Sequence, residues 1–408
     1  MAGTKIIIAG AGLKGYDPVI YEHLDSGSTD MGLAIVLQPN GLKVLSLIPG
    51  LVDKIPTREI VETVHYSVLA GDERELARHG TPPMVKERTG YNLMGTRRPA
   101  LLPVLFEEAQ ARGVPVVFGH QLVGLEEEGE GVTVRFANGK TDTASFVVGC
   151  DGLHSDTRKA LFGEEAVCFT GLARTGGVSP LPEAFKANGL STSAFNLYGD
   201  GLHMIGYPVN DHEFTWGITQ REAEAKETWR AMDEEHQKEF KEGPCSDLPF
   251  GGGELVRTAG RIIKFGLYDR PELPAWHKGR VVLAGDAAHP TSPHFGQGAN
   301  QALEDCYHLT RLLVAHNPSG TPPSIALLGT VFTEFEGLRI ARTSAFVKGA
   351  RQHGELLIVS GVDACKKRND VIVEISAQAA MGDSGEGMVG AHYLDLVEHP
   401  FKAGESEI

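Results

Sequence analysis

Apolar residues along this 408-residue chain fall into two patterns: short unbroken runs that stop at a glycine or an acid, and strand-length alternations separated by turns. Residues 5–10 (Lys-Ile-Ile-Ile-Ala-Gly) are of the first kind, β-branched and closed by glycine. That is the pattern of a parallel strand buried on both faces. Residues 18–23 predict a second strand whose acid is Glu22. Between Arg97 and Arg112, Leu101, Leu102, Leu105 and Phe106 recur at helical spacing, which predicts a helix. The pattern then turns to alternation. Val116–Phe118, Leu122–Glu127 and Val132–Phe136 read as strands of a β-meander over 116–149, with Asn138-Gly139 as a tight turn. Ser145–Gly149 closes it and delivers the chain to Asp151-Gly152.

Beyond residue 165 or so, shorter strand-like pieces (Ala194–Leu197, Gly201–Tyr207, Glu213–Ile218) are interspersed with one polar helical stretch over Arg221–Glu242. They predict a second, mainly antiparallel β-sheet. Residues 280–284 return to the buried-strand pattern and lead through a glycine-rich loop into an amphipathic helix over Ala299–Leu313. The expected fold class is α/β, with a discontinuous Rossmann-like domain (1–65, 90–165 and 265–360) and a β-sheet domain (66–89 and 166–264). Residues 361–408 are weakly patterned and form a C-terminal segment. Two domains also suit a chain too long for one compact core.

Composition narrows the partners more than the fold. A formal charge of −15 repels nucleic acid and anionic membrane surfaces, so neither is expected as a partner. The five cysteines (Cys150, Cys168, Cys245, Cys306, Cys365) contain no C-x-x-C pair, which predicts reduced thiols in a cytoplasmic protein and no metal site. No stretch approaches the ~18–20 apolar residues of a membrane span. A homodimer is left open.

Three glycine-rich turns, each after an apolar strand, carry the candidate chemistry. The first, Gly10-Ala-Gly12-Leu-Lys-Gly15, is formally G-x-G-x-x-G, whose glycines let backbone N–H groups approach a pyrophosphate. The second is Asp151-Gly152-Leu-His-Ser155-Asp-Thr-Arg158, which also reads as a plain aspartate-capped turn. The third, Gly285-Asp286 through Pro293, Gly296, Gly298 and Asn300, runs from a buried strand into the first turn of a helix. Free N–H groups at such a helix start favour negative charge.

Together these motifs resemble the FAD-dependent aromatic hydroxylases, the para-hydroxybenzoate hydroxylase family, in its salicylate and 6-hydroxynicotinate branch. The resemblance runs from Lys5 to about Gly354. It implies FAD as cofactor, with NAD(P)H and O2 as co-substrates, and a flavin C4a-hydroperoxide that hydroxylates a phenolic or N-heteroaromatic acid. By the same resemblance Gly10 and Gly12 approach the pyrophosphate and Glu22 binds the adenosine ribose. Arg98, in the R-x-x-L-x-x-x-L pattern with Leu101 and Leu105, contacts FAD. Asp151 and Gly152 form the DG motif with Ser155 and Arg158. Asp286 holds the ribityl chain, while Pro293, Gly296, Gly298, Ala299 and Asn300 lie along the isoalloxazine. His203 and Tyr207, four apart and so on one strand face, match a His/Tyr pair facing the substrate, and His294 matches a pocket histidine. A plain sheet-to-domain interface would place His203 and Tyr207 in the same way. Val36 stands where that branch is expected to carry a polar pocket residue. Arg339, Arg342 and Arg351 resemble the helix after the motif, where surface or interdomain ion pairing is expected.

One stretch departs from the family. Only seven residues, Ala11 to Asp17, separate Gly10 from Pro18, whereas a parallel crossover needs about a dozen. The helix expected to hold the pyrophosphate is missing, which leaves a second reading: a silent relative that binds FAD poorly. A halogenase is a third reading, but its W-x-W-x-I-P signature is absent.

Overall fold

The computed structural model describes residues 2–4, 17–24, 32–80, 83–223, 230–380 and 395–406. The expected first strand at 5–10, with Gly10, Gly12 and the first glycine turn, lies outside these residues. What is described at the start of the chain is β1 (Ala2–Thr4) beside β2 (Ile20–Glu22), and the two run antiparallel, Ala2 opposite Glu22. An antiparallel neighbour needs no long crossover. β2 pairs in parallel with Val116–Val117 on its other side.

β3 (Ala34–Leu37) feeds directly into α1 (Pro39–Ser46), with Pro39 at the first helical position, where a missing N–H costs nothing. Antiparallel to β3 lies β4 (Leu93–Arg97), which continues into α2 (Arg98–Ala111). Pro99 sits in the first turn of α2, and Leu101 of the same helix joins Leu42, Leu45 and Leu303 in a buried cluster.

The region 116–149 is not one meander. Leu122–Glu128, Gly131–Phe136 and Thr141–Ala144 form a three-stranded antiparallel sheet, but Val116–Val117 belongs with β2. The closing strand, β5 (Val147–Gly149), leaves the meander for a parallel partner far along the chain. It is followed by α3 (Asp156–Phe162), capped by Ser155, whose hydroxyl accepts from Arg158 N.

The second sheet has eight strands. Its centre is built from β6 (Cys168–Pro180), β7 (Ser193–Tyr198), β8 (Leu202–Pro208), β9 (Glu213–Arg221) and β10 (Ile262–Asp269), in the spatial order β10-β6-β9-β8-β7. All of these pair antiparallel, and Glu62–Ser67 adds to β7 in parallel. One face buries Phe185, Phe195, Phe214 and Trp216. The expected helix over 221–242 is corrected. Arg221 completes the ladder opposite Leu172, Arg230–Ala231 pairs with β10, and helix begins only at Glu234 behind an Asp233 cap.

β11 (Val281–Leu283) is the distant partner of β5, with Val147 opposite Val281 and Gly149 opposite Leu283. This pairing brings the loop at 151 beside the loop at 285. The long helices α4 (Gly298–His316) and α5 (Ile325–Leu357) then pack on the core around Val282, Leu309 and Phe335. The weakly patterned C-terminal segment contains a full helix, α6 (Val362–Ala380). Buried Arg368 anchors it by donating to Gly199 O at 2.8 Å and Leu357 O at 3.2 Å, and Asn369 donates to Ser67 Oγ. No helix among the described residues is long and apolar enough to cross a membrane.

Candidate active site

The loop after β11 is held from below. Asp305, inside α4, accepts from Gly285 N at 2.8 Å, from His289 Nε2 at 2.6 Å and from Arg339 Nε at 2.7 Å. Burial alone would raise the Asp305 pKa, but His289 and Arg339 outweigh it and keep the carboxylate ionised. Glu304 is held the same way by Arg339 and Arg342, against the cost of burial. Arg339 is therefore not a surface residue. It is fully buried and supports the loop, because removing it would strand two buried carboxylates. Arg342 is also largely buried, bridging Glu304 and Asp395, while Arg351 pairs with Asp269 at the surface.

Above this base, Asp286 is exposed between buried Gly285 and Ala287. The Arg98 guanidinium faces it: burial lowers the arginine pKa and Asp286 opposes that. Arg98 lies where a side chain at Gly32 would stand, 2.8 Å from its ideal Cβ position, and Gly32 has φ +86°. Glycine is required there twice over. Gly298 opens the other side, with the Asp286 Oδ1 only 3.8 Å from its ideal Cβ. Asn300, fully buried, accepts from Gln38 N at 2.9 Å and donates to Val36 O and Gly296 O. Its side chain fixes the loop, and among the described residues nothing pairs the N–H groups of Gly298, Ala299 and Asn300 in the first turn of α4. Gln297 provides no side-chain cap. Pro293 and Gly296 are exposed on the approach.

The DG residues sit against this loop. Both Asp151 oxygens are used locally, by Ser155 Oγ and by Thr157 N at 2.8 Å, and burial raises the Asp151 pKa. Gly152 has φ +77° and open space around it. Buried Arg158 donates to Ala287 O, Ala288 O and Pro271 O and pairs with Glu165, so it ties the two loops together. Glu22 is buried at the end of β2, with His23 Nδ1 at 2.8 Å from its Oε1.

The expected substrate residues come together on one face of the eight-stranded sheet. His203 is buried, and its Nε2 donates to Asn196 Oδ1 at 2.9 Å. With the proton on Nε2, Nδ1 is left as an acceptor, and no described group bonds it. Burial first, then Arg174, His294, His353 and Arg368, hold the His203 pKa well below its ordinary value. Tyr207 is half-buried on the same strand face, its pKa raised by burial with Arg174 opposing. His294 is bonded through Nδ1 to Ser292 Oγ at 3.0 Å, while its Nε2 is buried with no partner among the described residues. Burial, Arg174 and His353 keep its imidazole neutral as well.

Arg174 and His353 were not among the expected site residues. The β6 segment that carries Arg174, Cys-Phe-Thr-Gly-Leu-Ala-Arg-Thr-Gly-Gly-Val-Ser-Pro, has three glycines and no clean alternation, so it does not read as a strand. His353 lies on α5, far from any glycine turn.

Exposed Asp286 beside Arg98, glycine in place of a side chain at 298, and the N–H donors of the α4 start suit a flavin with its ribityl chain. These residues would hold FAD here. Among them no group of three or more His, Cys, Asp or Glu could hold a metal ion.

The chain matches the FAD binding domain family over residues 50–324. It is 32% identical over 352 residues to 3-amino-4-hydroxybenzoate 2-monooxygenase PtnB3 of Streptomyces platensis, across 83% of this chain and 82% of that protein. To 6-hydroxynicotinate 3-monooxygenase of Pseudomonas fluorescens it is 29% identical, across 77% of this chain and 84% of that protein. Its fold is that of Klebsiella pneumoniae HpxO complexed with FAD and uric acid, with TM-score 0.74 at 20% identity over 93% and 95% of the two chains. The 2,6-dihydroxypyridine-3-hydroxylase from Arthrobacter nicotinovorans shares it too, with TM-score 0.71 at 20% identity over 88% and 92%.

Proposed function

Because this chain belongs to the FAD-dependent aromatic monooxygenases, we propose that it oxidises NADH or NADPH with O2 to hydroxylate a phenolic or N-heteroaromatic acid. FAD, when bound, supplies the reducible centre and the activation of oxygen. The chain must supply a binding groove, a dry reaction face and control of the substrate proton. Arg98, Asp286 and the start of α4 are assigned to the first task, with Glu22, Gly10 and Gly12 towards the adenosine end and Asp151 and Gly152 behind the loop.

The observation that carries the reading is His203. Its tautomer is set by Asn196, it is neutral at pH 7, and its free Nδ1 accepts a hydrogen bond on the face that also presents Tyr207 and His294. A substrate hydroxyl can donate there. Tyr207 stays protonated and can donate to the oxygen that becomes phenolate. Similarity across four-fifths of a named monooxygenase favours this enzyme over the silent relative.

The test is NADH and NADPH oxidation by the FAD-loaded protein with hydroxylated benzoates and pyridine carboxylates. One or more should stimulate oxidation and give a product carrying one atom from 18O2. Absence of both with every acid would sink the proposal.

A further inference from the structure

The strand registers place three side chains in one row. Arg174 on β6 lies opposite Thr219 on β9, and Thr219 lies opposite His203 on β8. Residues directly opposite share a sheet face, so Arg174 and His203 project together, two strand spacings or roughly 9.6 Å apart. Thr219 stands between them, and its Oγ1 accepts from Arg174 Nε at 3.1 Å. The arginine stem lies over Gly217, whose ideal Cβ would be 3.1 Å from Arg174 Cδ. From there the guanidinium reaches towards Tyr207.

Arg174 is a half-buried cation with no carboxylate paired to it among the described residues. Burial brings the Arg174 pKa down to about 10, so it remains charged at neutral pH. The electrostatic neighbours of the row are His203, His294, His353, Tyr207 and Arg368, none of them an anion at pH 7. Among the described residues no carboxylate pairs with Arg174, and its one hydrogen bond uses Nε alone. The fully buried arginines do have protein acceptors: Arg158 takes Glu165 and three carbonyls, Arg339 two carboxylates, Arg280 and Arg368 two carbonyls each, and Arg270 one. A half-buried guanidinium whose terminal N–H groups have no protein anion is free to take one from a ligand.

We propose that Arg174 is the carboxylate-binding residue of the substrate site, its terminal N–H groups taking the carboxylate of an aromatic acid whose hydroxyl is directed towards His203. This rests on the aromatic-acid reading above and adds how the acid is recognised and oriented. A planar fork accepts a carboxylate with two parallel bonds. The Thr219 bond holds Nε and so fixes the plane of that fork.

The experiment uses the FAD-loaded protein and two matched pairs of probes, 6-hydroxynicotinate with 2-hydroxypyridine, and 3-amino-4-hydroxybenzoate with 2-aminophenol. Within each pair only the carboxylate differs. Dissociation constants are read from the change in flavin absorbance or fluorescence for wild type, Arg174→Gln and Arg174→Lys. Wild type should bind at least one acid tenfold or more tighter than its decarboxylated partner. Arg174→Gln should weaken that acid by about ten- to a hundredfold, the range for a lost charge-assisted bond, and leave the partner unchanged. Arg174→Lys, which keeps the charge without the fork, should fall between them, and serves alone if the glutamine variant does not fold. Equal binding of acid and partner by wild type, or unweakened acid binding by either variant, overturns the assignment while the hydroxylase reading stands. Failure of wild type to bind any of the four overturns both.

Discussion

Asp286 shows how a single residue can be read. It is exposed in a row of buried neighbours, so its carboxylate does no packing, and Arg98 is the charge that faces it. Asp286→Ala should therefore leave the far-UV circular dichroism intact. It should weaken FAD binding by about tenfold or more, as expected for losing one charge-assisted hydrogen bond. Fluorescence titration checks this, and equal affinity would free Asp286 from the cofactor. Tyr207 differs because it is half-buried on the reaction face, where burial keeps its hydroxyl protonated. Tyr207→Phe should slow hydroxylation by roughly ten- to a hundredfold, the worth of one bond to a charged oxygen, with FAD affinity unchanged. Hydroxylation rates that match wild type across pH would return Tyr207 to a purely structural role.

At the scale of elements, α5 bears on the reaction face through a glycine. The ideal Cβ of Gly354 would lie 2.5 Å from His294 Cε1 and 2.6 Å from its Nδ1, while Gly337 on the same helix has nothing within 4 Å. Replacing glycine by alanine inside a helix ordinarily stabilises by roughly 0.5–1 kcal/mol. Gly337→Ala should therefore raise Tm with activity unchanged. Gly354→Ala should show no such gain and should weaken substrate binding, because the His294 ring must move. A gain in Tm from both, with activity kept, would mean that His294 is not wedged there. This contact spans 60 residues of sequence, and no local pattern announces it. What was legible in the sequence was local. The buried run at 281–283, the Arg98 helix and the Asp286 loop follow from period and glycine placement, and the structure forms each of them. The departures have non-local causes. β5 leaves its meander because its backbone edge pairs with β11, more than a hundred residues further along the chain. The α6 helix is hard to see because its buried face mixes Cys365 and Ile372 with Arg368, Asn369 and Ser376, so no continuous apolar stripe marks it. Arg174 was missed because its environment comes from two neighbouring strands.

For the molecule as a whole, the buried histidines make a prediction about pH. Burial lowers His65 and His308 to about 3 and His353 to about 4, and holds His203 and His294 well below their ordinary value. In the unfolded chain each would titrate near 6.5. Because the folded pKa is the lower one, the folded state binds fewer protons as pH falls. Stability is therefore complete above about pH 6.5 and is lost progressively below it, with the loss continuing down to the folded values. Each histidine contributes a slope of up to about 1.4 kcal/mol per pH unit once its unfolded counterpart is protonated. Between about pH 6 and 5 carboxylates contribute little, since Glu304 and Asp305 are depressed further and unfolded acids titrate nearer 4. The urea midpoint, measured at fixed ionic strength with saturating FAD, should accordingly fall between pH 6.5 and 5. His308 lies within α4, and no described group bonds its Nδ1, so His308→Phe should flatten the slope by about one proton. A midpoint that stays constant over that range would show that the unfolded chain gains no protons there and that these imidazoles are not held neutral by burial.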